Sequence, residues 1–411
     1  MFILGSSLVS PLGQNKEAHI KALKTEKTGL SNQTNFHIRI PSINTFLGVV
    51  NNLENIQLPE SFKRYACRNN QLAWQALQEN GFLSKVNQLV KKHGRHRIGL
   101  VVGTSTSGIA ATEHLFRNEL KPDEYNYQTT QQMDSLAQFC SQALEIEGPS
   151  FAISTACSSS AKVFEVAQRW LNADIVDAVV VGGVDTLCLT TLHGFNALGL
   201  VSEQICKPLD QDRNGINIGE AGGFMLLSNT SPFEESAGPD PLIKVMGVGE
   251  SSDAYHISTP HPEGEGAQLA MLAAMQQAKI SMEDIDYINL HGTATPSNDL
   301  SEISAVAHLS TEASPTWVSS TKGFTGHTLG AAGITEIIFC QWLLEEQFVP
   351  ANLNLTHLDP QLTEKLQHST VNIPLETLQL TETNQKLQYV MSNSFGFGGN
   401  NASVILKMES V

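Results

Sequence analysis

The chain has 411 residues, 41% hydrophobic and only 16% charged, which is enough for two domain-sized units or one large double-layered one with an extensive core. Its formal net charge of −16 argues against a nucleic-acid binder, which would normally be basic. The start lacks the basic, apolar, small-residue order of a secretion signal, and no apolar run reaches the roughly 18 residues of a membrane span, so the reading is a cytoplasmic protein without membrane insertion.

In chain order, Phe2–Gly5 reads as a short strand, Ser10–Gly13 as a turn and Asn15–Leu23 as a helix. Residues 29–59 read as irregular and polar. Lys63–Arg68 is expected to start a helix that runs on through Leu72, Trp74 and Leu77. Arg97–Gly103, Phe151–Thr155 and Ala178–Gly183 are apolar runs bounded by glycines or helical patterns. Such runs predict a mostly parallel sheet covered on both faces. Thr230–Pro241, rich in Ser, Glu, Pro and Gly, is the best linker.

Between two of these strands and helices lies Ile153-Ser154-Thr155-Ala156-Cys157-Ser158-Ser159-Ser160. Val163, Ala167 and Trp170 follow at helical spacing, so Cys157 is placed at a strand-to-helix turn. Free backbone N–H groups and the helix dipole there favour a thiolate. The small residues around it are read as room for a substrate. A lone cysteine is more often a structural core residue. The other five, Cys67, Cys140, Cys188, Cys206 and Cys340, are read that way; scattered and without a CxxC pair, they indicate neither a zinc site nor disulfides.

After the linker the order repeats. Leu242–Gly247 resembles the opening strand, Tyr287–Thr293 resembles Leu100–Thr104, Trp317–Lys322 parallels Phe151–Thr155, and Tyr389–Ser394 echoes Val179–Gly183. Four matches in one order suggest an internal duplication, two similar α/β halves covering residues 1–240 and 241–411.

Three more features fall at strand ends, where α/β sheets tend to bind ligands. They are His291-Gly292-Thr293-Ala294-Thr295-Pro296, then Lys322-Gly323-Phe324-Thr325-Gly326-His327, and Ser394-Phe395-Gly396-Phe397-Gly398-Gly399. Glu336, in an otherwise apolar helix, needs a partner such as Lys322, a histidine or a cation. One nucleophilic cysteine and two histidines fit acyl transfer through a thioester. Two neutral histidines could hold an enolate, and backbone N–H groups at Cys157 and Phe397 could form a separate oxyanion hole. Two oxyanion sites and one nucleophile imply carbon–carbon bond formation between acyl groups.

In this order the motifs strongly resemble the β-ketoacyl-acyl-carrier-protein synthases, the elongating condensing enzymes of the thiolase superfamily. Leu8–Gly13, Lys207–Gly215 and Ser251–His256 match too. The resemblance implies a thiolase-like five-layered α-β-α-β-α fold from two duplicated halves, and a homodimer, with a heterodimer as the alternative in a specialised polyketide or polyene pathway. A non-catalytic chain-length subunit is a further reading, against which Cys157 argues. Cys157 would take the acyl chain from acyl-carrier protein. His291 and His327 would support decarboxylation of malonyl-carrier protein, and Lys322 would set their electrostatics. Glu336 and Asp299 would support the site, Phe397 would gate it, and Phe395 and Gly398 would border the substrate. Thr293 and Thr295 match positions that contact the phosphopantetheine arm, which the carrier brings, so no cofactor is resident apart from a structural monovalent cation near Glu336. Thr106 falls where the family lines the acyl pocket. Lys63, Arg64, Arg68 and Lys207 match the basic region that docks the acidic carrier. Gly219–Gly223, Leu209 and residues 35–58 depart from the usual pattern.

Overall fold

The computed structural model describes residues 1–32, 43–117, 125–231, 242–310, 315–382 and 385–409. Ten strands carry the architecture: β1 (Phe2–Val9), β2 (Ile98–Gly103), β3 (Ser150–Ile153), β4 (Ala178–Asp185), β5 (Ala221–Ser228), β6 (Ile243–Ser252), β7 (Tyr287–Asn289), β8 (Thr316–Ser319), β9 (Tyr389–Gly396) and β10 (Asn400–Met408). The first five run in the order β3-β2-β4-β5-β1 and the last five in the order β8-β7-β9-β10-β6. These are the same topology twice, and each sequence match across the linker falls on an equivalent pair of strands. β1 and β6 meet at the single pair Phe2↔Lys244, which joins both halves into one sheet. The linker itself lies largely outside the described residues, as do the boundary at 240 and residues 35–42 of the divergent 35–58 region.

Strand direction differs from the expectation. β2, β3 and β4 are parallel, but β5 runs antiparallel to both β4 and β1, and the second half does the same. Every residue of β2, β4 and β5 is buried. The runs at β2 and β4 are thus covered on both faces, whichever way the neighbouring strand points, whereas β3, predicted to be covered too, is an edge strand with Phe151 37% exposed.

Six helices supply that cover: α1 (Arg68–Gln78), α2 (Ser135–Ala143), α3 (Ser159–Asn172), α4 (Glu265–Ala278), α5 (Pro296–Leu309) and α6 (Ala332–Glu346). α3 packs on β2 and β4 of its own half and on β6 and β10 of the other; α6 packs on β9 and β10 and on β4 and β5. They touch each other, forming the middle layer. α6 is buried from Ala332 to Leu344, as an all-round apolar helix must be. α1 and α2 cover the outer face of the first half, and α4, with α5 beside it, that of the second. The layers run α-β-α-β-α, with one apolar core between the sheets and one under each outer layer. The chain entering α1 differs slightly from expectation: a 3-10 turn at Glu60–Tyr65 precedes a break at Ala66 and Cys67, and the helix starts at Arg68.

Close packing explains the small residues around Cys157. A Cβ on Gly103 would sit 2.4 Å from the Ser160 nitrogen, and one on Gly333 2.6 Å from the Ala161 nitrogen. Ser158, Ser159, Ser160 and Ala161 are fully buried. They let the first turn of α3 wedge between β2 and α6, and leave no space for substrate. Among the described residues no helix is long and apolar enough to cross a membrane.

Candidate functional site

The turn that presents Cys157 is held locally. Ala156 has φ +53°, a left-handed conformation that costs a residue with a side chain about 1–2 kcal/mol. The Ser159 hydroxyl compensates, donating to the Ala156 carbonyl (2.6 Å) and accepting from the Thr155 N–H (2.9 Å). Cys157 is 5% exposed. Burial pushes its thiol up to about 11, against the pull of Lys322 and of the Phe397 and Cys157 N–H groups. The expected thiolate is thereby corrected to a thiol: desolvation outweighs the ammonium and the two N–H groups. The nucleophile is a thiol that needs a base, and His327 Nε2 lies 3.0 Å from its sulfur. Both N–H groups aim at the sulfur, so a carbonyl bonded there would find two donors.

The two histidines come from the second half. His327 is pinned by its backbone, which accepts from the Gly219 N–H (2.9 Å) and donates to the Asn217 carbonyl (2.7 Å). His291 follows β7, its ring 5.3 Å from that of His327 at 83°. Burial, and then the Lys322 charge, hold both imidazoles well below the usual histidine range, so both are neutral near pH 7. Lys322 Nζ stands 3.5 Å from His291 Nδ1 and 2.6 Å from Glu336 Oε1 in a pair almost closed to solvent. Burial raises the Glu336 carboxyl and the ammonium opposes that. Glu336 Oε2 has no hydrogen-bond partner, nor has Asn289 Oδ1 in the same buried polar layer around Tyr287. Uncommitted hard oxygens of this kind fit a monovalent cation.

An open pocket of about 610 Å³, its solvent-filled mouth included, is lined by Cys157, His291 and His327. Thr293 and Thr295 line it, hydroxyl to hydroxyl at 2.8 Å, with Phe395, Phe397 and Gly398. Phe397 rests against Phe195, ring centroids 5.4 Å apart. Asp299 lies behind this wall, fully buried, accepting from the Leu209 and Ala294 N–H groups. Thr106 does not border the cavity; its N–H and hydroxyl both donate to Asp185. Of the basic residues, Lys63 is exposed, Arg64 stacks on Tyr65 and donates to Gln142, and Lys207 is half-buried. Arg68 is a correction: it is turned inward onto fully buried Glu220 and is no docking residue. Arg68→Ala is expected to cost about 3–5 kcal/mol in denaturant unfolding, because it strands a buried carboxylate.

Sequence reading missed two buried carboxylates that organise the site. Asp185, at the end of β4, accepts from Thr104, Ser105, Thr106 and the Gly330 N–H, tying the turn after β2 to the segment following His327. Glu302, on α5, accepts the His291 and Gly292 N–H groups, both at 2.8 Å, and the Asn393 amide at 3.2 Å. Their only sequence signal is an acid amid apolar or small neighbours. Burial pushes the Glu302 carboxyl up to about 7, although those N–H groups pull it down. The folded state thus keeps this proton where the unfolded chain has lost it. Its stabilising share is full below about pH 4.5 and is lost as pH rises through about 7. Glu302→Gln is expected to flatten the melting profile over that window. It should also slow condensation about a hundredfold by loosening His291, while iodoacetamide still alkylates Cys157 at the unmodified rate.

Among the described residues, one cluster of His, Cys, Asp or Glu has metal-ligand spacing: Cys157, His291 and His327, whose ligand atoms lie within 4.8 Å of one another. The family profiles described as "Beta-ketoacyl synthase, N-terminal domain" and "Beta-ketoacyl synthase, C-terminal domain" match residues 1–232 and 242–356. The 3-oxoacyl-[acyl-carrier-protein] synthase 2 of Vibrio cholerae serotype O1 is 31% identical, the alignment covering 98% of each chain. A solved ketosynthase (ApeO) in complex with its chain length factor (ApeC), from Xenorhabdus doucetiae, is similar at 35% identity and TM-score 0.87, covering 99% of this chain and 98% of that one. The ishigamide ketosynthase/chain length factor shares the fold, at 23% identity and TM-score 0.86 over 100% of this chain and 99% of that one.

Proposed function

The chain belongs to the beta-ketoacyl synthase family and is a condensing enzyme of the acyltransferase type, and from that premise we propose that it joins a Cys157-bound acyl group to malonyl-acyl-carrier protein. The observation that carries this reading is the convergence of Cys157, His291 and His327 on one cavity, with Lys322 behind them. His327 takes the thiol proton as sulfur attacks the acyl thioester and passes it to the departing carrier thiolate, so that free carrier leaves as a thiol and the imidazole is neutral again. Malonyl-carrier protein enters past Thr293 and Thr295. Loss of CO2 turns its thioester carbonyl into an enolate oxygen, which the two neutral imidazoles hold by N–H donation. The enolate carbon attacks the Cys157 thioester, whose oxygen faces the Phe397 and Cys157 N–H groups. The sulfur departs, regains a proton, and a 3-oxoacyl-carrier protein is released. A monovalent cation held by Glu336 and Asn289 would balance the buried charge beside Lys322.

Fatty acid elongation is supported by the name of the Vibrio relative. A specialised polyketide pathway is supported by the ketosynthase bound to its chain length factor. Both readings fit a feature of this chain. β3 ends the sheet with no further strand among the described residues, and its Phe151 is 37% exposed. That apolar edge suits a second, related subunit, either identical or a chain-length partner. Incubation with malonyl-carrier protein and acyl-carrier proteins of graded length, read by mass spectrometry, tests the chemistry. An acyl adduct on Cys157 and a 3-oxo product are expected; no adduct with any donor would overturn the proposal. Native mass spectrometry after co-expression with a neighbouring chain-length homologue separates the two partnerships.

A further inference from the structure

We propose that Cys157, His291 and His327 also form a binding site for a thiophilic divalent cation such as Zn²⁺, and that occupancy closes the condensing site reversibly. One sulfur and two imidazoles are the donor set that zinc and cobalt prefer, while the hard cations Mg²⁺ and Ca²⁺ need oxygens. The three ligand atoms lie within 4.8 Å of one another, and Cys157 Sγ is 3.0 Å from His327 Nε2. Zinc bonds of about 2.3 Å to sulfur and about 2.0 Å to nitrogen set tetrahedral ligand atoms about 3.3–3.6 Å apart. Shifts on the order of 1 Å in side chains therefore suffice. The donors come from three separate rigid elements: the turn before α3, the end of β7, and a segment whose backbone is bonded to Asn217 and Gly219. Ligation through His291 Nε2 puts the ring proton on Nδ1, 3.5 Å from Lys322 Nζ, and Lys322 is held instead by Glu336 Oε1 at 2.6 Å, which also offsets the ammonium charge that would repel a cation. The cavity supplies the approach and a fourth position for water.

Binding exchanges the S–H bond for an S–metal bond and releases one proton; nothing is oxidised. It takes the nucleophile and both histidines together, so metal and acyl donor exclude each other. Once acylated, the sulfur is a poor ligand, and the metal acts on the free enzyme alone. The site stands on ligand geometry and does not depend on which acyl group Cys157 carries.

The full-length chain titrated with Co²⁺ is expected to bind one equivalent with a thiolate-to-cobalt charge-transfer band and the visible bands of a tetrahedral ion. Cys157→Ser should lose the charge-transfer band. In the unmodified chain, Zn²⁺ should slow iodoacetamide alkylation of Cys157 at least tenfold, with full recovery on adding EDTA. His291→Ala and the closer-shaped His291→Asn should lose about 10- to 100-fold in metal affinity while keeping the thiol alkylatable. Alkylation at an unchanged rate under Zn²⁺, a cobalt spectrum without the sulfur band, or protection that survives both His291 variants would each overturn the proposal.

Discussion

Cys157→Ala is expected to leave no acyl adduct and to lower turnover on the order of 10⁶-fold, as loss of a nucleophile does in covalent catalysis. The two histidines should then separate, which their equivalent spacing in the sequence does not predict. From sequence, both belong to the second half-reaction, and either substitution should leave loading intact. In the structure only His327 touches the sulfur, at 3.0 Å. With the thiol at about 11, little thiolate exists near neutral pH, and loading needs that base. His327→Ala is therefore expected to slow both acylation and condensation, by about 10²–10⁴-fold. His291→Ala should stop condensation while the acyl adduct still forms. Stopped-flow acylation combined with intact-protein mass spectrometry reads the two steps apart, and equal loading defects in both variants would refute the division. The sign of the pH effect follows from the raised thiol. In His327→Ala the alkylation rate should climb about tenfold per pH unit and level off only near 11, whereas a preformed thiolate would level off near neutrality.

Lys322→Ala should cost about 3–5 kcal/mol in denaturant unfolding, as much as Arg68→Ala. It takes away the ammonium that opposes burial at Glu336, so the carboxyl loses its partner and is driven to its protonated form in a site almost closed to solvent. The double variant Lys322→Met with Glu336→Gln is expected to recover most of that loss, because it removes both charges together. Activity should not return. The ammonium is the second influence, after burial, that keeps both imidazoles unprotonated, and it also sits against His291 Nδ1. Stability that returns without turnover would place Lys322 in the chemistry as well as in the core; turnover returning with it would confine the pair to packing.

Much of this was legible in the chain. The apolar runs at β2 and β4 announced strands buried on both faces, but the run at β3 did not, because it is an edge strand with no residue fully buried; the repeat of strand, turn and small residues announced the duplication. Strand direction was not legible, because a fully covered strand carries the same apolar pattern whether its neighbour is parallel or antiparallel. Arg68 stood among basic surface candidates because charge is visible in sequence and orientation is not. It folds inward onto Glu220, 152 residues away.

The sequence by itself determined the chemical inventory: one cysteine at a strand-to-helix turn, two histidines after strand ends, a lysine and a glutamate that had to be paired, and a glycine loop around Phe397. Those assignments follow from local spacing and from the cost of burying charge, both properties of short stretches. The tertiary structure alone decided how the pieces act. It set which histidine meets the sulfur, that burial outweighs the Lys322 charge at the thiol, and that Glu302 and Asp185 hold the loops in place. Each depends on distances and solvent exclusion among residues far apart in the chain, which no linear pattern encodes.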